Sequence, residues 1–500
     1  MQPTAFGLVL LPLCLLFLGQ PLRLLQLVLV AAVFEAAAAL LIGGKFGLQP
    51  AMVPGLLFLA HISLQYALGM RYPGEAVVLR ALVPLLAFAA WSIGATFVVT
   101  DLFAGTPVWP LKHDLGYGIM VPLGYGMGNV TQGLYLLLNV SVTVGAALYL
   151  TRAGIPFRPL IAAYLASGYL VVFLGAWQLA ARLGGFWWPA DFLYSNEGWT
   201  IVEQSIGGIP RIQGPFTEPS SMGSYLSGVT FCCLWLCIRG HEVMRPRLLL
   251  TLSLVGVALS TSTSGIVALA VGMPLLLGYA VATGGGAGIH RITTTLAMVA
   301  AVGLVVLGPL FVLKPELMDS VASIVDATLD KKESQSYEDR SQADADALQA
   351  AVSTYGLGVG WGSTRSSSLI AGLLANSGVV GVLLVLWFVV RLSRFKSGSS
   401  ANAPKGHPAL AAMDGFAAAL SGVMVPALLA APTITSMAFF IQVACLVGAA
   451  ARVRVEAQPA GTGALGVRAR TPAFWLGAAE SGGAAPGGGR PNAVAAAAPR

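Results

Sequence analysis

The chain has 500 residues, of which 56% are hydrophobic and only 10% are charged, and its mean hydropathy is +0.78. A soluble domain of this length could not bury so much apolar surface, so the composition excludes a soluble globular protein. The formal net charge of +7 does not indicate a nucleic-acid partner, because 19 of the 28 basic residues are Arg23, lie in short connectors between apolar runs, or follow residue 451.

The repeated apolar runs, each about 20 residues long, predict an all-α, polytopic transmembrane protein with about 12–13 spans. The runs do not alternate as the strands of a β-barrel would. In chain order, the candidate helices cover residues 4–19, 22–42, 51–69, 76–99, 131–150, 159–181, 220–239, 246–260, 264–283, 292–313, 368–390, 409–430 and 432–451. If the first run only lies in the membrane interface, twelve of these thirteen spans remain.

Lysine and arginine residues in the short connectors predict the orientation of the spans. These residues lie in every second connector along the chain. Successive connectors lie on opposite sides of a membrane, so all of the basic connectors fall on one side, which is the cytoplasm. They hold Arg71, Arg80, Arg152, Arg158, Arg239, Arg245, Arg247, Arg291, Arg391, Arg394, Lys396 and Lys405. The long connectors at about 100–130, 182–219 and 314–367 therefore face outward, where polar loops presented by rigid helices are expected to carry the chemistry.

This topology divides the chain into six segments. They are N-terminal helices (1–180), an outer loop (181–219), central helices (220–313), a large outer loop (314–367), C-terminal helices (368–451) and a disordered cytoplasmic tail (452–500). The tail is rich in Ala, Gly and Pro without periodicity, which favours disorder. All five cysteines lie inside apolar runs and are interpreted as small packing residues, because their spacing indicates neither a disulfide nor a metal site.

The first polar patch is the stretch RIQGPFTEPSSMGSYLSG, residues 211–228, at the start of an apolar helix. Glu218 precedes Pro219, which suits a first helical turn, so Thr217 or Glu218 is expected to cap the helix. Hydroxyl groups follow at helical spacing on Ser221, Ser224 and Tyr225. Arg211 could fold back over this small polar face. An ordinary capped helix beside an interfacial arginine would explain the same residues.

The second polar patch is STSTSG, residues 260–265, between two apolar spans on the outer side. Six small polar residues predict a tight turn or a break within a helix. Their N–H and hydroxyl groups could donate to an anion at a helix N-terminus. Ser and Thr in membrane helices also bond their own backbone, so a purely structural role stays open.

The third polar patch surrounds the end of the large outer loop. Residues 343–352 predict an amphipathic helix on the membrane surface, and Arg340 directly precedes it. A glycine-rich run around Trp361 predicts a flexible hinge, and Arg365 with the serines after it marks the return to the bilayer. The glycines are Gly356, Gly358, Gly360 and Gly362. This run does not follow a β-strand, so it is not a nucleotide-binding fingerprint.

Four arginines face outward in this topology, close to the points where the chain meets the membrane. They are Arg182, Arg211, Arg340 and Arg365. The planar guanidinium group donates two parallel hydrogen bonds to phosphate and stays protonated. A lipid diphosphate presents its phosphates at that depth, with its sugar above and its tail in the bilayer. Trp187, Trp188, Tyr194 and Trp199 could stack on sugar faces, although an interfacial aromatic belt also explains them.

Three stretches, in this order and spacing, resemble the O-antigen ligase and Wzy-like polymerase superfamily, which are integral membrane glycosyltransferases of the GT-C type. The stretches are RIQGPFTEPSSMGSYL, LSTSTSGIVALAVG and GLGVGWGS followed by LLANSGVVGVLL, and the resemblance covers about residues 200–390. It implies a GT-C-like fold with a large periplasmic loop, in the bacterial inner membrane with a cytoplasmic C-terminus. The family often has an arginine in the turn that reads STSTSG here, which is a departure.

The resemblance implies that a glycan is taken from an undecaprenyl diphosphate carrier and passed to an acceptor hydroxyl, without a cofactor or metal. Arg211 and Arg340 match the positions thought to hold the diphosphate, and Glu218 is the candidate to orient or deprotonate the acceptor. Substrate contacts are expected from Arg182, Ser221, Tyr225, Arg365 and Ser367. Ser367 stands eleven residues before Gly378, where the ligases have a histidine, and this favours a polymerase.

The partners that the resemblance implies are the lipid-linked oligosaccharide donor and acceptor, the lipid bilayer, a chain-length regulator and a flippase. A ligase that passes polymer to a lipid or protein acceptor is one alternative, and a flippase or transporter for lipid-linked sugars is another. Transporters often have internal repeats and ionisable residues near the midplane. No repeat is evident, and Glu35 and His61 are the obvious ionisable residues within predicted spans. A purely structural membrane protein would leave the placement of the charges unexplained.

Overall fold

The computed structural model describes residues 2–43, 46–109, 119–196, 205–206, 209–313, 335–429 and 434–457. Over these residues the protein is mainly helical, with three small antiparallel sheets of two or three short strands. Eight of the described helices are long and apolar enough to cross a membrane, and four further apolar helices are shorter. The predicted all-α, multi-pass membrane architecture is confirmed, while the number of spans and the large periplasmic loop stay predictions.

The N-terminal region corrects one predicted span. It contains β1 (Gln2–Pro3), α1 (Ala5–Leu16), α2 (Pro21–Ala31), β2 (Leu40–Ile42) and β3 (Phe46–Leu48). The predicted helix 22–42 is wrong beyond Ala31, because β2 pairs with both β1 and β3. The alanines at 36–39 favour a helix by propensity, yet the Ala39 backbone bonds Thr4 and Leu48 instead. Tertiary pairing of buried backbone therefore overrides local preference here.

The next elements agree with the predicted runs to within a few residues. They are α3 (Met52–Ala67), α4 (Glu75–Leu102), β4 (Pro107–Val108), β5 (Val121–Pro122), α5 (Met127–Tyr149), α6 (Arg158–Gly184), α7 (Ala190–Leu193), β6 (Ser205–Ile206) and β7 (Ile209–Pro210). The strand pairs β4–β5 and β6–β7 lie within two of the three segments predicted as long connectors.

The central region contains a second departure from the predicted spans. Its elements are α8 (Pro219–Arg239), α9 (Pro246–Leu259), α10 (Thr263–Val267), a π-helical turn (Ala268–Gly272) and α11 (Met273–Leu313). Two spans, 264–283 and 292–313, were predicted around a connector at Arg291, but the residues of that connector are helical within α11. A glycine-rich connector is typical of a break between two helices. Each glycine destabilises a helix by only about 1 kcal/mol, however, so a continuous helix through these residues remains possible energetically.

The C-terminal region contains α12 (Gln335–Ser353), α13 (Leu369–Asn402), α14 (Leu410–Leu429) and α15 (Met437–Ala457). The helix predicted at 343–352 is confirmed, and α12 begins earlier, so that Arg340 lies within it. The first residues of the predicted disordered tail, 452–457, are the last turns of α15. The rest of that tail, and residues 314–334 of the large loop, lie outside the described residues.

Helix α8 forms the centre of the bundle. It contacts α6, α9, α10, α11 and α14, and almost all of its residues are buried. Small residues allow this close packing: a Cβ at Gly228 would lie 2.6 Å from the Val423 side chain of α14. The five cysteines are free and buried, as predicted. The N-terminus of α8, at Glu218, is thereby presented in the middle of one end of the bundle.

Candidate functional site

The loop that leads into α8, residues 211–218, is fixed by polar side chains of α6. Gln178 is buried, and its Oε1 accepts two successive backbone N–H groups of the loop at 2.9 and 2.8 Å. Arg182, one turn further along α6, donates to the carbonyl of Arg211. Because buried backbone groups need partners, these bonds hold the loop in one conformation. Gln178 was not among the residues predicted from the sequence, where a single amide within an apolar span is the signal.

Arg211 is buried, and its guanidinium group reaches the STSTSG turn. Its Nε donates to Thr261 Oγ1 at 3.0 Å, and its Nη2 donates to the Thr261 carbonyl at 3.4 Å. The predicted helix break is confirmed, since α9 ends at Leu259 and Ser262 caps α10. Two polar patches that lie about 50 residues apart thus meet, and oxygens of the turn hold an arginine.

Glu218 is the N-cap residue of α8, as predicted, but its side chain makes no capping bond. Its Oε2 lies 3.2 Å from Arg340 Nη2, and its Oε1 accepts from Ser220 Oγ. The Arg340 group also donates to Ser220 Oγ at 3.4 Å. The side chains of Arg340 and Glu218 are 29% and 27% exposed, so this ion pair adds at most about 1 kcal/mol of stability. Because both side chains are partly exposed, the guanidinium group of Arg340 and the carboxylate of Glu218 are accessible to a ligand.

Glu35 approaches the same point from the turn between α2 and β2. Thr217 Oγ1 donates to Glu35 Oε2 at 3.4 Å. Burial and the nearby Glu218 carboxylate raise the pKa of Glu35 to about 7, although hydrogen bonds from Ser221 and Thr217 oppose the shift. The sequence predicted that Glu35 lies inside the helical span 22–42, where it would serve only a transporter. Its position beside Glu218 follows from the early end of α2.

The two arginines expected to hold a diphosphate interact electrostatically. Burial and repulsion from Arg340 lower the pKa of Arg211 to about 10, and attraction to Glu218 partly offsets this. Arg211 therefore stays protonated at neutral pH. Two cations and two carboxylates, from three separate segments, share one end of the bundle. The residues Glu35, Arg211, Glu218, Ser220 and Arg340 are named here the arginine–glutamate cluster.

Two predicted substrate-binding residues of α8 have different surroundings. Ser221 is partly buried and joins the arginine–glutamate cluster through its hydrogen bond to Glu35. Tyr225, one turn deeper, is buried, and its hydroxyl lies 2.7 Å from Ser167 Oγ. Its ring packs against Phe216 at a centroid distance of 5.4 Å. Tyr225 thus packs α8 against α6 in this structure, and its substrate role stays a prediction.

Arg365 and Ser367 lie just before α13. The N–H of Arg365 donates to the Trp109 carbonyl at 3.1 Å. The N–H groups of Ser367 and Ser368 donate to Asp344 Oδ1 at 2.7 and 3.0 Å. A carboxylate of α12 therefore occupies the N-terminus of α13, where partial positive charge favours it. Since Arg340 lies one turn before Asp344, this bond also positions Arg340.

The glycine-rich loop between α12 and α13 is packed, in contrast to the predicted flexible hinge. Trp361 is buried, with its N–H 2.7 Å from Thr96 Oγ1 of α4 and its indole N–H 3.2 Å from the Gln132 carbonyl of α5. The glycines of the loop, Gly356, Gly358, Gly360 and Gly362, all have positive φ angles. Glycine is needed for these angles, which let the loop follow the helices closely.

The aromatic residues offered for sugar stacking differ in accessibility. Trp187 is 73% exposed, while Tyr194 is buried and hydrogen bonds Gln178 at 2.8 Å. The Trp188 ring packs against Trp177 and Tyr194, at centroid distances of 5.6 Å and 6.3 Å. Trp199 lies outside the described residues. Of the described aromatic residues in this set, Trp187 is the most accessible to a ligand or to lipid.

The chain matches no protein-family model and no curated protein sequence. The resemblance to O-antigen ligases and polymerases therefore stays a prediction. Within the described residues, no group of three or more His, Cys, Asp and Glu side chains is placed to hold a metal ion. The fold and the site define a multi-pass membrane protein with a charged cluster at one end of its helices.

Proposed function

We propose that the protein is a membrane glycosyltransferase that polymerises undecaprenyl-diphosphate-linked oligosaccharide repeats at the periplasmic face of the inner membrane, forming exopolysaccharide or O-antigen. The observation that carries the proposal is the grouping of Arg211 and Arg340 around Glu218. Two guanidinium groups at the mouth of a membrane helix match the charge and depth of a lipid diphosphate. The carboxylates beside them supply groups that can accept a proton from a sugar hydroxyl.

In the proposed reaction, the oxygen of an acceptor hydroxyl forms a bond to the anomeric carbon of the donor sugar. The bond from that carbon to the diphosphate oxygen breaks, and the electron pair leaves with undecaprenyl diphosphate. Arg211 and Arg340 stabilise the charge that develops on this leaving group. Because Thr261 and the Arg182-bound loop hold Arg211 in advance, little reorganisation is needed during the reaction.

The proton of the acceptor hydroxyl passes to a carboxylate of the arginine–glutamate cluster. A general base works best when its pKa lies near the working pH, and the pKa of Glu35 is about 7. Glu218 is engaged by Arg340 and Ser220, so its role is to orient the hydroxyl. This assignment moves the base from Glu218, the sequence-based candidate, to Glu35.

The proposal is tested by returning variants to a deletion strain. Arg340→Ala and Arg211→Ala should each lower polymer formation by about 100-fold, because one donor to the leaving group is lost. Arg158→Ala, at an exposed arginine on the other end of α6, is the matched control and should make normal polymer. Immunoblots of membranes check that each variant is present. Normal polymer length in both cluster variants would contradict the proposal.

The lipid-linked intermediates of the deletion strain separate the alternatives. A polymerase predicts that single repeats accumulate on the carrier. Polymer retained on the carrier would identify a ligase, and accumulation confined to the inner leaflet would identify a flippase.

A further inference from the structure

A second charged site lies between α4, α13 and α15, in a pocket of about 480 Å³. This volume falls within the range of about 300–1,000 Å³ that is common for ligand sites. Four arginines line it: Arg80, Arg391, Arg394 and Arg454. Trp387 and other apolar side chains form the rest of the wall. These four residues and Trp387 are named here the arginine pocket.

The arginine pocket is at the opposite end of the helices from the arginine–glutamate cluster. Helix α13 begins at Leu369, where Asp344 ties it to α12, and Arg391 follows 22 residues later. At about 1.5 Å per residue this separation is about 33 Å, which is the thickness of a hydrocarbon core. The two sites therefore belong to different faces of the membrane.

The packing of this pocket holds its cations close together. Arg391 Nε donates to the Arg80 carbonyl at 2.6 Å, which ties α13 to α4. Arg454 donates to Ser399 Oγ at 2.8 Å and to the Phe395 carbonyl at 2.9 Å, and lies over the Phe395 ring at 4.2 Å. These bonds use neutral acceptors, so they leave the positive charge of each guanidinium group uncompensated.

No arginine of the pocket forms an ion pair with a carboxylate among the described residues. The neighbouring Lys396 shows the contrast, since its Nζ lies 3.1 Å from Asp414. Four like charges around one space repel each other, and an anion within the space would relieve that repulsion. The pocket is thus built for a negatively charged ligand.

The apolar part of the wall selects among anions. Trp387 is 43% exposed and Val390 is 40% exposed. Both residues belong to α13, which is one of the helices long and apolar enough to cross a membrane. A ligand that satisfies both parts has a phosphate at the membrane surface and a chain in the bilayer. We propose that the arginine pocket binds the phosphate headgroup of an acidic phospholipid in the leaflet opposite the arginine–glutamate cluster.

The test uses the purified, delipidated full chain in a neutral detergent. Binding is measured by native mass spectrometry and by the rise in melting temperature on adding phosphatidylglycerol, phosphatidylcholine or inorganic phosphate. Phosphatidylglycerol should bind and stabilise, while phosphatidylcholine and inorganic phosphate at the same concentration should not. If inorganic phosphate binds as well as phosphatidylglycerol, the pocket is a site for a free anion and the lipid assignment is overturned.

Two double variants test whether phosphatidylglycerol binds at the arginine pocket. Arg391→Gln/Arg394→Gln should weaken phosphatidylglycerol binding by about 30-fold, as expected for losing two arginines near a lipid surface. The matched control is Arg158→Gln/Arg247→Gln, which removes two exposed arginines at the same end of the helices and should leave binding unchanged. Equal phosphatidylglycerol affinity in both double variants would overturn the proposal. Glycosyl transfer is not part of the readout, so this result is independent of the proposed function.

Discussion

Glu35 is the carboxylate of the arginine–glutamate cluster whose pKa is raised by its surroundings. Burial and the Glu218 carboxylate both disfavour its charged form and raise its pKa from 4.5 to about 7. The folded protein therefore holds this proton more tightly than the unfolded chain does. The stability that this provides is fully present below the unfolded pKa, and it is lost as the pH rises through about 7. The loss is on the order of 3 kcal/mol.

Glu35→Gln should remove this dependence on pH, because glutamine stays neutral. Between about pH 5 and pH 8, the melting temperature of the wild type in detergent should fall relative to that of Glu35→Gln. Glu338→Gln, at an exposed carboxylate of α12, is the matched control and should follow the wild type. If the difference in melting temperature between Glu35→Gln and the wild type stays constant across this pH range, the pKa of Glu35 is not raised.

At the scale of elements, the glycine-rich loop packs directly against the backbone of α13. Gly378 interrupts α13 with φ 68° and ψ −173°, a conformation that is essentially restricted to glycine. A Cβ at this position would lie 2.5 Å from the carbonyl oxygens of Gly356 and Leu357. The loop and the helix therefore approach as closely as two backbones can. This close contact explains why position 378 is a glycine in the stretch LLANSGVVGVLL, on which the resemblance rests.

Gly378→Ala should destabilise the protein by at least about 1–3 kcal/mol, because the backbone strain adds to the collision with the loop. A lower melting temperature in detergent is the measurement. Gly94→Ala, in α4, is the matched control, since a Cβ there meets nothing within 4 Å and alanine favours a helix. If the two variants melt at the same temperature, the loop does not lock α13.

At the scale of the whole molecule, the two charged sites define the two ends of the helical bundle. The end of α8 opposite Glu218 carries Arg239, which pairs with Asp414 at 3.2 Å. Basic connectors lie at this end, and the excess of Lys and Arg predicts that it faces the cytoplasm. The arginine–glutamate cluster would then face the periplasm, as the proposed function requires.

Labelling with a membrane-impermeant thiol reagent tests this orientation. Phe186→Cys, at an exposed residue near the cluster end of α6, should be labelled in cells with a permeable outer membrane and an intact inner membrane. Ala153→Cys, at an exposed residue of the opposite connector, should be labelled only after the inner membrane is broken. The five natural cysteines are buried, so they give a low background. The reverse pattern would place the cluster in the cytoplasm.

Much of the fold could be predicted because a bilayer makes helices obligatory. Backbone groups in hydrocarbon must bond within their own segment, so an apolar run of sufficient length indicates a helix. Local signals also marked ends: α8 begins with Pro219 and ends before Gly240, which has φ 76°. The predicted span 22–42 was wrong where strands compete for the same backbone, and hydropathy does not register such competition.

By itself, the sequence determined the membrane class of this protein, most helix boundaries and the candidacy of Arg211, Glu218 and Arg340, because these depend on side-chain chemistry and local spacing. Only the tertiary structure decided that Thr261 holds Arg211 and that Glu35 lies beside Glu218. Those contacts join segments far apart in the chain, and they exist only because α2, α6, α8 and α9 pack against one another. No local pattern encodes such packing, since it is set by the shapes of many side chains at once.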